Sequence, residues 1–201
     1  MKRIALLIIL FWICSLIFKI FSTYDSSVME LNEILLTPNI DHWFGKDDYG
    51  RDIYFRLVDG FINSFEIILS VTIVTSFFGI FIGVLSGFIG GKFDQVIKFI
   101  TTLFMSFPGI LLAIAFAAIL TPGKLNLIIA LSIGGWVGYA RLARAQTLLI
   151  KEQDFVKASR SMGSSKSRII FSHILPTIST PLIVESTYAV AGLIIAEASL
   201  S

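Results

Sequence analysis

Long apolar runs at 4–18, 65–89, 96–120, 125–143 and 182–200 are separated by short polar stretches, and that alternation leaves few ways to fold. A hydrocarbon core of roughly 30 Å takes about 20 apolar residues wound as a helix. Lipid supplies no partner for backbone N–H and C=O groups, so each run must satisfy its own. The expected fold is therefore all-α, a polytopic membrane helix bundle with about five spans. Composition agrees: 55% of the 201 residues are hydrophobic and 15% charged, against about 25% charged in soluble domains. Eighteen Phe against five Pro favour contact with lipid over disorder. A net charge of +2 is too small to imply nucleic acid. Cys14 stands alone, so no disulfide forms within the chain, and Ile13 before it is not the small residue of a lipoprotein site.

Charge sets the expected topology. Met1, Lys2 and Arg3 precede the first apolar run without a small-residue cleavage site after it, which predicts a retained helix over 1–21 with a cytoplasmic amino terminus. The 22–60 loop is rich in Asp and Glu and is expected outside; residues 61–201 form the main transmembrane domain. Tyr139, Arg141 and Arg144 read as an aromatic and basic inner border. Beyond them, a cytoplasmic loop over 144–176 carries Lys157, Arg160, Lys166 and Arg168.

Within the spans, Gly79, Gly83 and Gly87 recur every four residues, a seam that lets another helix approach closely. Pro108, between Phe107 and Gly109, is expected to kink the third span, with the freed carbonyl facing protein or a cavity. Glu185 and Glu197 are expected near the inner and outer ends of the last span. Gly90, Gly91 and Lys92 lack the first glycine and the Ser/Thr of a phosphate loop, so no nucleotide site is expected.

Two polar segments carry the functional signal. The first, His42 to Asp52, packs aromatics, glycines and charges; Gly45 and Gly50 suit positive φ, and Arg51 can pair with a carboxylate. A lone His among Asp residues does not make a metal site. In the second, Phe155, Ala158, Ser159 and Met162 recur at helical spacing, Gly163 ends the helix, Ser164 or Ser165 caps a second, and Pro176 closes it.

The order Lys157, Ala158, Ser159, then Gly163, then Ile174, Leu175, Pro176 resembles the EAA loop of ABC-importer permeases, with Lys157 where that family has an acid. His42, Phe44, Gly45, Asp47, Gly50, Arg51 and Asp52 are similar to the H-x-F-G-T-D-x-x-G-R-D motif of the dipeptide, oligopeptide and nickel branch, with Lys46 in place of Thr. The resemblance implies a non-catalytic transport subunit that binds no cofactor or metal itself. It also implies a second permease subunit forming the pore, cytoplasmic ABC ATPase subunits that hold ATP and Mg, and an external substrate-binding protein delivering peptide or nickel. Phe155, Lys157, Ala158, Ser159, Arg160, Gly163, Arg168, His173 and Pro176 would then form the ATPase-coupling loop. The family's pattern continues beyond Glu197 to Ser201 into a sixth span, which the resemblance implies is missing here by truncation. A self-contained secondary transporter is the alternative, and it would need ionisable groups at mid-span.

Overall fold

The structure, a computed structural model, describes residues 28–200 together with Leu6, Leu10, 12–15, 17–19 and Ser26. The expected helix over 1–21 falls largely outside the described residues. The chain divides into two compact units, Met1–Glu66 and Ile67–Ser201.

In the first unit a 3-10 turn at Leu31–Glu33 leads into a run of turns, closed by an isolated antiparallel bridge between Lys46 and Asp52. Helix α1, Ile53–Ile89, starts directly after it. Asp52 caps that start, its Oδ1 accepting from the Phe55 N–H at 3.1 Å. Tyr54, Phe55 and Val58 are buried, with Ile62 packed against them. Trp43 lies 4.9 Å from Tyr54, ring to ring, which ties the turns to the first turn of the helix.

The second unit contains the rest of α1, then α2 (Gly91–Met105), α3 (Gly109–Ile119), α4 (Lys124–Ile150), α5 (Asp154–Ser161), α6 (Lys166–Ile169), a π turn (Ile170–Ile174) and α7 (Leu175–Leu200). Among the described residues, α1, α4 and the continuous helix Lys166–Leu200 are each long and apolar enough to cross a membrane. The pair α2 and α3 makes a fourth if counted together. This is the all-α membrane helix bundle expected from the apolar runs.

Several boundaries differ from the sequence reading. Helix α1 begins at Ile53, three turns before the apolar run, because Asp52 supplies the cap. The third run does not merely kink at Pro108: α2 and α3 meet at 84°. Phe107 and Pro108 leave the helix there, and the Pro108 carbonyl accepts from the Leu111 and Leu112 N–H groups of α3. Helix α4 continues to Ile150, beyond the expected basic border, and Tyr139 is buried in the core rather than placed at an interface.

Pro176 does not close a helix. Residues 166–200 run on through it, and through Pro181, as one rod. The π turn explains how: the Leu175 N–H reaches back five residues to the Ile170 carbonyl, and the widened turn relieves the clash a proline ring makes with the carbonyl four residues earlier. The Thr177 hydroxyl donates to the His173 carbonyl at 2.6 Å, further satisfying that stretch.

Ile67, Val71, Thr75, Gly79, Gly83 and Gly87 are all buried and recur every four residues, so a stripe inclined to the axis of α1 turns inward over 67–87. A Cβ on Gly79 would come within 2.6 Å of the Tyr139 Cβ; one on Gly83 would meet the Ala140 carbonyl; one on Gly87 would lie 2.9 Å from the Thr147 Cβ. The seam is therefore where α1 and α4 touch backbone to backbone. At its end Asp94 of α2 accepts from the Ser86 hydroxyl at 2.6 Å and from both forks of Arg144 at 2.5 and 2.6 Å. The Lys151 ammonium donates to the Gly87 carbonyl at 2.8 Å. These bonds satisfy charges carried by α2 and α4 and the last carbonyls of α1.

Candidate functional site

The basic loop is built on a short amphipathic helix. Of α5, Val156 and Ser159 point inward, and Val156 is fully buried in a core shared with Val84, Tyr139, Ala143, Ile150, Ile169, Ile174 and Ile178. That burial alone contributes roughly 1.5–3 kcal/mol and holds α5 against the helices that continue into the membrane-spanning segments. The opposite face exposes Phe155, Lys157, Ala158, Arg160 and Met162. Helix α5 ends in a Schellman arrangement: Gly163 has φ +84°, its N–H reaches the Arg160 carbonyl, and the Ser164 N–H reaches the Ser159 carbonyl at 3.1 Å. A Cβ on Gly163 would meet nothing within 4 Å, so backbone conformation, not crowding, requires glycine there.

Ser165 caps the next helix, its Oγ accepting from the Arg168 N–H at 3.3 Å. The π turn then brings His173 back onto α5. Its Nε2 lies 3.1 Å from the Ser159 Oγ, which itself donates to the Ser164 Oγ at 2.9 Å. With the Ser159 proton committed to Ser164, His173 donates at Nε2. The Phe155 ring meets the His173 ring edge-on, 5.9 Å between centroids. Arg160 extends over Phe88 at 5.9 Å, and Lys157 pairs with exposed Glu152 at 3.5 Å. Arg168 is exposed, and Pro176 lies in the first turn of α7.

The His42–Asp52 segment is a hydrogen-bonded cage of turns. Gly45 and Gly50 have φ +72° and +70°, and a Cβ on either would strike backbone. Asp47 accepts from the backbone N–H of Tyr49 and Arg51 at 2.9 and 3.0 Å, from the Arg51 Nε at 2.9 Å, and from Arg56. Asp52 joins His42 Nδ1 at 2.8 Å while capping α1. Phe44 lies edge-on to Tyr54 at 5.8 Å. Burial works against charge on Asp47, yet those N–H groups and the Arg51 guanidinium bring its carboxyl down to about 2.

In chain order the caged polar segment precedes, and the helix-glycine-helix loop interrupts, a series of helices long and apolar enough to cross a bilayer. Residues 79–201, more than half of the chain, match the family described as "Binding-protein-dependent transport system inner membrane component". The chain belongs to this family. Its relatives include the oligopeptide transport system permease protein OppC of Bacillus subtilis (strain 168), 37% identical over the whole of this chain and 66% of the relative. The dipeptide transport system permease protein DppC of Alkalihalophilus pseudofirmus is 37% identical over 98% of this chain and 65% of its own length. The probable D,D-dipeptide transport system permease protein DdpC of Escherichia coli (strain K12) is 33% identical over 98% and 66%. The chain thus spans just under two thirds of the length of each. As a member of that family it is a multi-pass membrane protein.

For this family member the sequence reading missed four residues. Lys46, noted only as a substitute for Thr, is 2% exposed and lies between Glu30 and Glu33. Burial pushes its ammonium down, but the two carboxylates more than reverse this and raise it above its usual range. The Lys46 hydrogen bond in turn holds Glu33 below the usual carboxylate range. Val156, which anchors α5, is an ordinary apolar residue to any local pattern. Gly135 and Gly138 extend the close packing of α4: a Cβ on Gly135 would lie 2.8 Å from Thr75, and one on Gly138 would lie 2.6 Å from Glu185. Glu185 therefore rests against α4, well inside the 166–200 rod, while Glu197 lies in the last turn of that rod and is buried. Among the described residues no group of three or more His, Cys, Asp or Glu gathers to hold a metal.

Proposed function

We propose that the chain is a transmembrane subunit of an ATP-driven importer of peptides, and that the 154–176 loop receives the motion of ATPase subunits. The observation that carries this reading is the two-sided helix α5. Val156 locks one face into the core shared with α1, α4 and α7, while Phe155, Ala158 and Met162 remain exposed on the other. A force applied to that outer face passes through Val156 and the His173–Ser159 bond to a rod that runs unbroken to Leu200. The names of the three relatives favour peptide over nickel as cargo. On this reading a second permease subunit completes the pore, ATP and Mg stay on the ATPase partners, and an external binding protein delivers cargo to the side bearing His42–Asp52. The chain performs no catalysis of its own.

Co-expression with the ATPase and permease subunits encoded beside the chain tests this. Wild type should retain the ATPase on purification. Ala158→Glu, which places a charge on the exposed face without touching the core, should lose it while remaining inserted in the membrane. Retention by both proteins would refute the docking role of α5. The secondary-transporter alternative draws on Glu185 and Glu197, which lie within the last rod. Uptake into vesicles that survives a protonophore but stops when ATP is depleted would exclude it.

A further inference from the structure

Between α2 and α4 lies an open groove of about 560 Å³ lined by Lys98, Thr101, Thr102, Ser106, Arg141 and Arg144. Its charges are not balanced. Arg144 is neutralised by Asp94 at 2.5 Å. Among the described residues Arg141 has only the Met105 thioether, with Nη1 to Sδ at 2.8 Å, although a guanidinium carries five donors. Lys98 is exposed beside it, with no carboxylate within ion-pairing distance among the described residues. The hydroxyl protons of Thr101, Thr102 and Ser106 are committed to backbone carbonyls of α2 itself, so the donors left to a ligand are the two cations.

The surroundings say what kind of ligand. The neighbouring arc of α2 exposes Phe93, Val96, Phe99 and Leu103. At 100° per residue these occupy a surface suited to acyl chains, next to the polar arc of Lys98 and Thr102. Met105 and Ala145 give the groove apolar wall as well. Uncompensated cations between transmembrane helices, beside a lipid-facing arc, match the chemistry of an anionic lipid: a phosphate for the cations, chains for the phenylalanines. We propose that this groove seats the phosphate of an anionic phospholipid headgroup, with Arg141 as the forked donor and Lys98 as the second charge. The site stands independently of the reading of α5, since it shares no residue with the 154–176 loop.

Native mass spectrometry of the purified full-length chain, offered equal amounts of phosphatidylglycerol and phosphatidylcholine, tests it. Phosphatidylglycerol should remain bound preferentially. Lys98→Gln and Arg141→Gln should each weaken retention about fivefold, Arg141→Lys should keep much of it, and Lys92→Gln, a charge of equal sign on the same helix but outside the groove, should leave it unchanged. If Arg141→Gln fails to fold, Lys98→Gln decides. Equal retention of the two lipids, or an equal loss with Lys92→Gln, would overturn the site. Displacement of the lipid by a short peptide with a free carboxyl terminus, but not by its amide, would assign the groove to cargo instead. Binding of inorganic phosphate that phosphatidylglycerol does not compete away would make it a site for free anions and would equally overturn the proposal.

Discussion

Asp47 is held charged by its surroundings. Its carboxyl sits near 2 in the folded cage against 3.8 for the free group, so its contribution to stability is fully present above about 4 and is lost as pH falls towards 2. Proteolysis of the 28–60 segment should therefore stay flat from pH 7 to 5 and rise only below about 4. In Asp47→Asn that acid step should shrink, with faster cleavage already at neutral pH. Gly163 makes a second prediction. Its φ of +84° costs an L residue about 1–2 kcal/mol, so Gly163→Val should lower the melting temperature of the purified protein while Gly163→Asn lowers it less. The left-handed glycines at 45, 50 and 163 were legible in the sequence because glycine before or after a polar turn is a local signal. The burial of Lys46 was not, because it depends on Glu30 and Glu33, brought over it by a fold of the chain that no spacing announces.

At the scale of an element, the seam on α1 was readable because a four-residue glycine period survives any change of partner. What it packs against was not, since α4 meets it through plain backbone at Trp136, Ala140 and Arg144. Gly83→Ala should cost about 1–3 kcal/mol by forcing α1 off α4. Gly192→Ala on α7, where a Cβ meets nothing within 4 Å, should be close to neutral. Thermal unfolding of the two variants in the same detergent checks the contrast. The extent of α4 was misjudged for a physical reason: Arg141 and Arg144 look like a terminus, yet Asp94 neutralises Arg144 and the helix runs two turns further. Pro176 was misjudged because the π turn before it relieves the ring clash by which proline ends a helix, and nothing in the residue spacing announces that turn.

For the whole molecule, helices and order follow directly from hydropathy, whereas sidedness rests on the distribution of Lys and Arg. With Cys14 replaced by Ser, a single cysteine at Asp48 should react with a membrane-impermeant maleimide in intact cells, and one at Lys166 only after the membrane is opened. The reverse pattern would invert the proposed orientation and with it the placement of the ATPase partners. The π turn between the loop and the last rod carries a consequence for how such a chain can vary. A turn closed five residues back is an α turn with one residue to spare, so a single-codon deletion within 170–174 would force ordinary winding and drive the Pro176 ring into the carbonyl four residues before it. The rod would then have to bend at Pro176 to relieve that clash. Chain length at this one turn therefore works as a straightening device, deciding whether the loop joins a continuous rod or a kinked one.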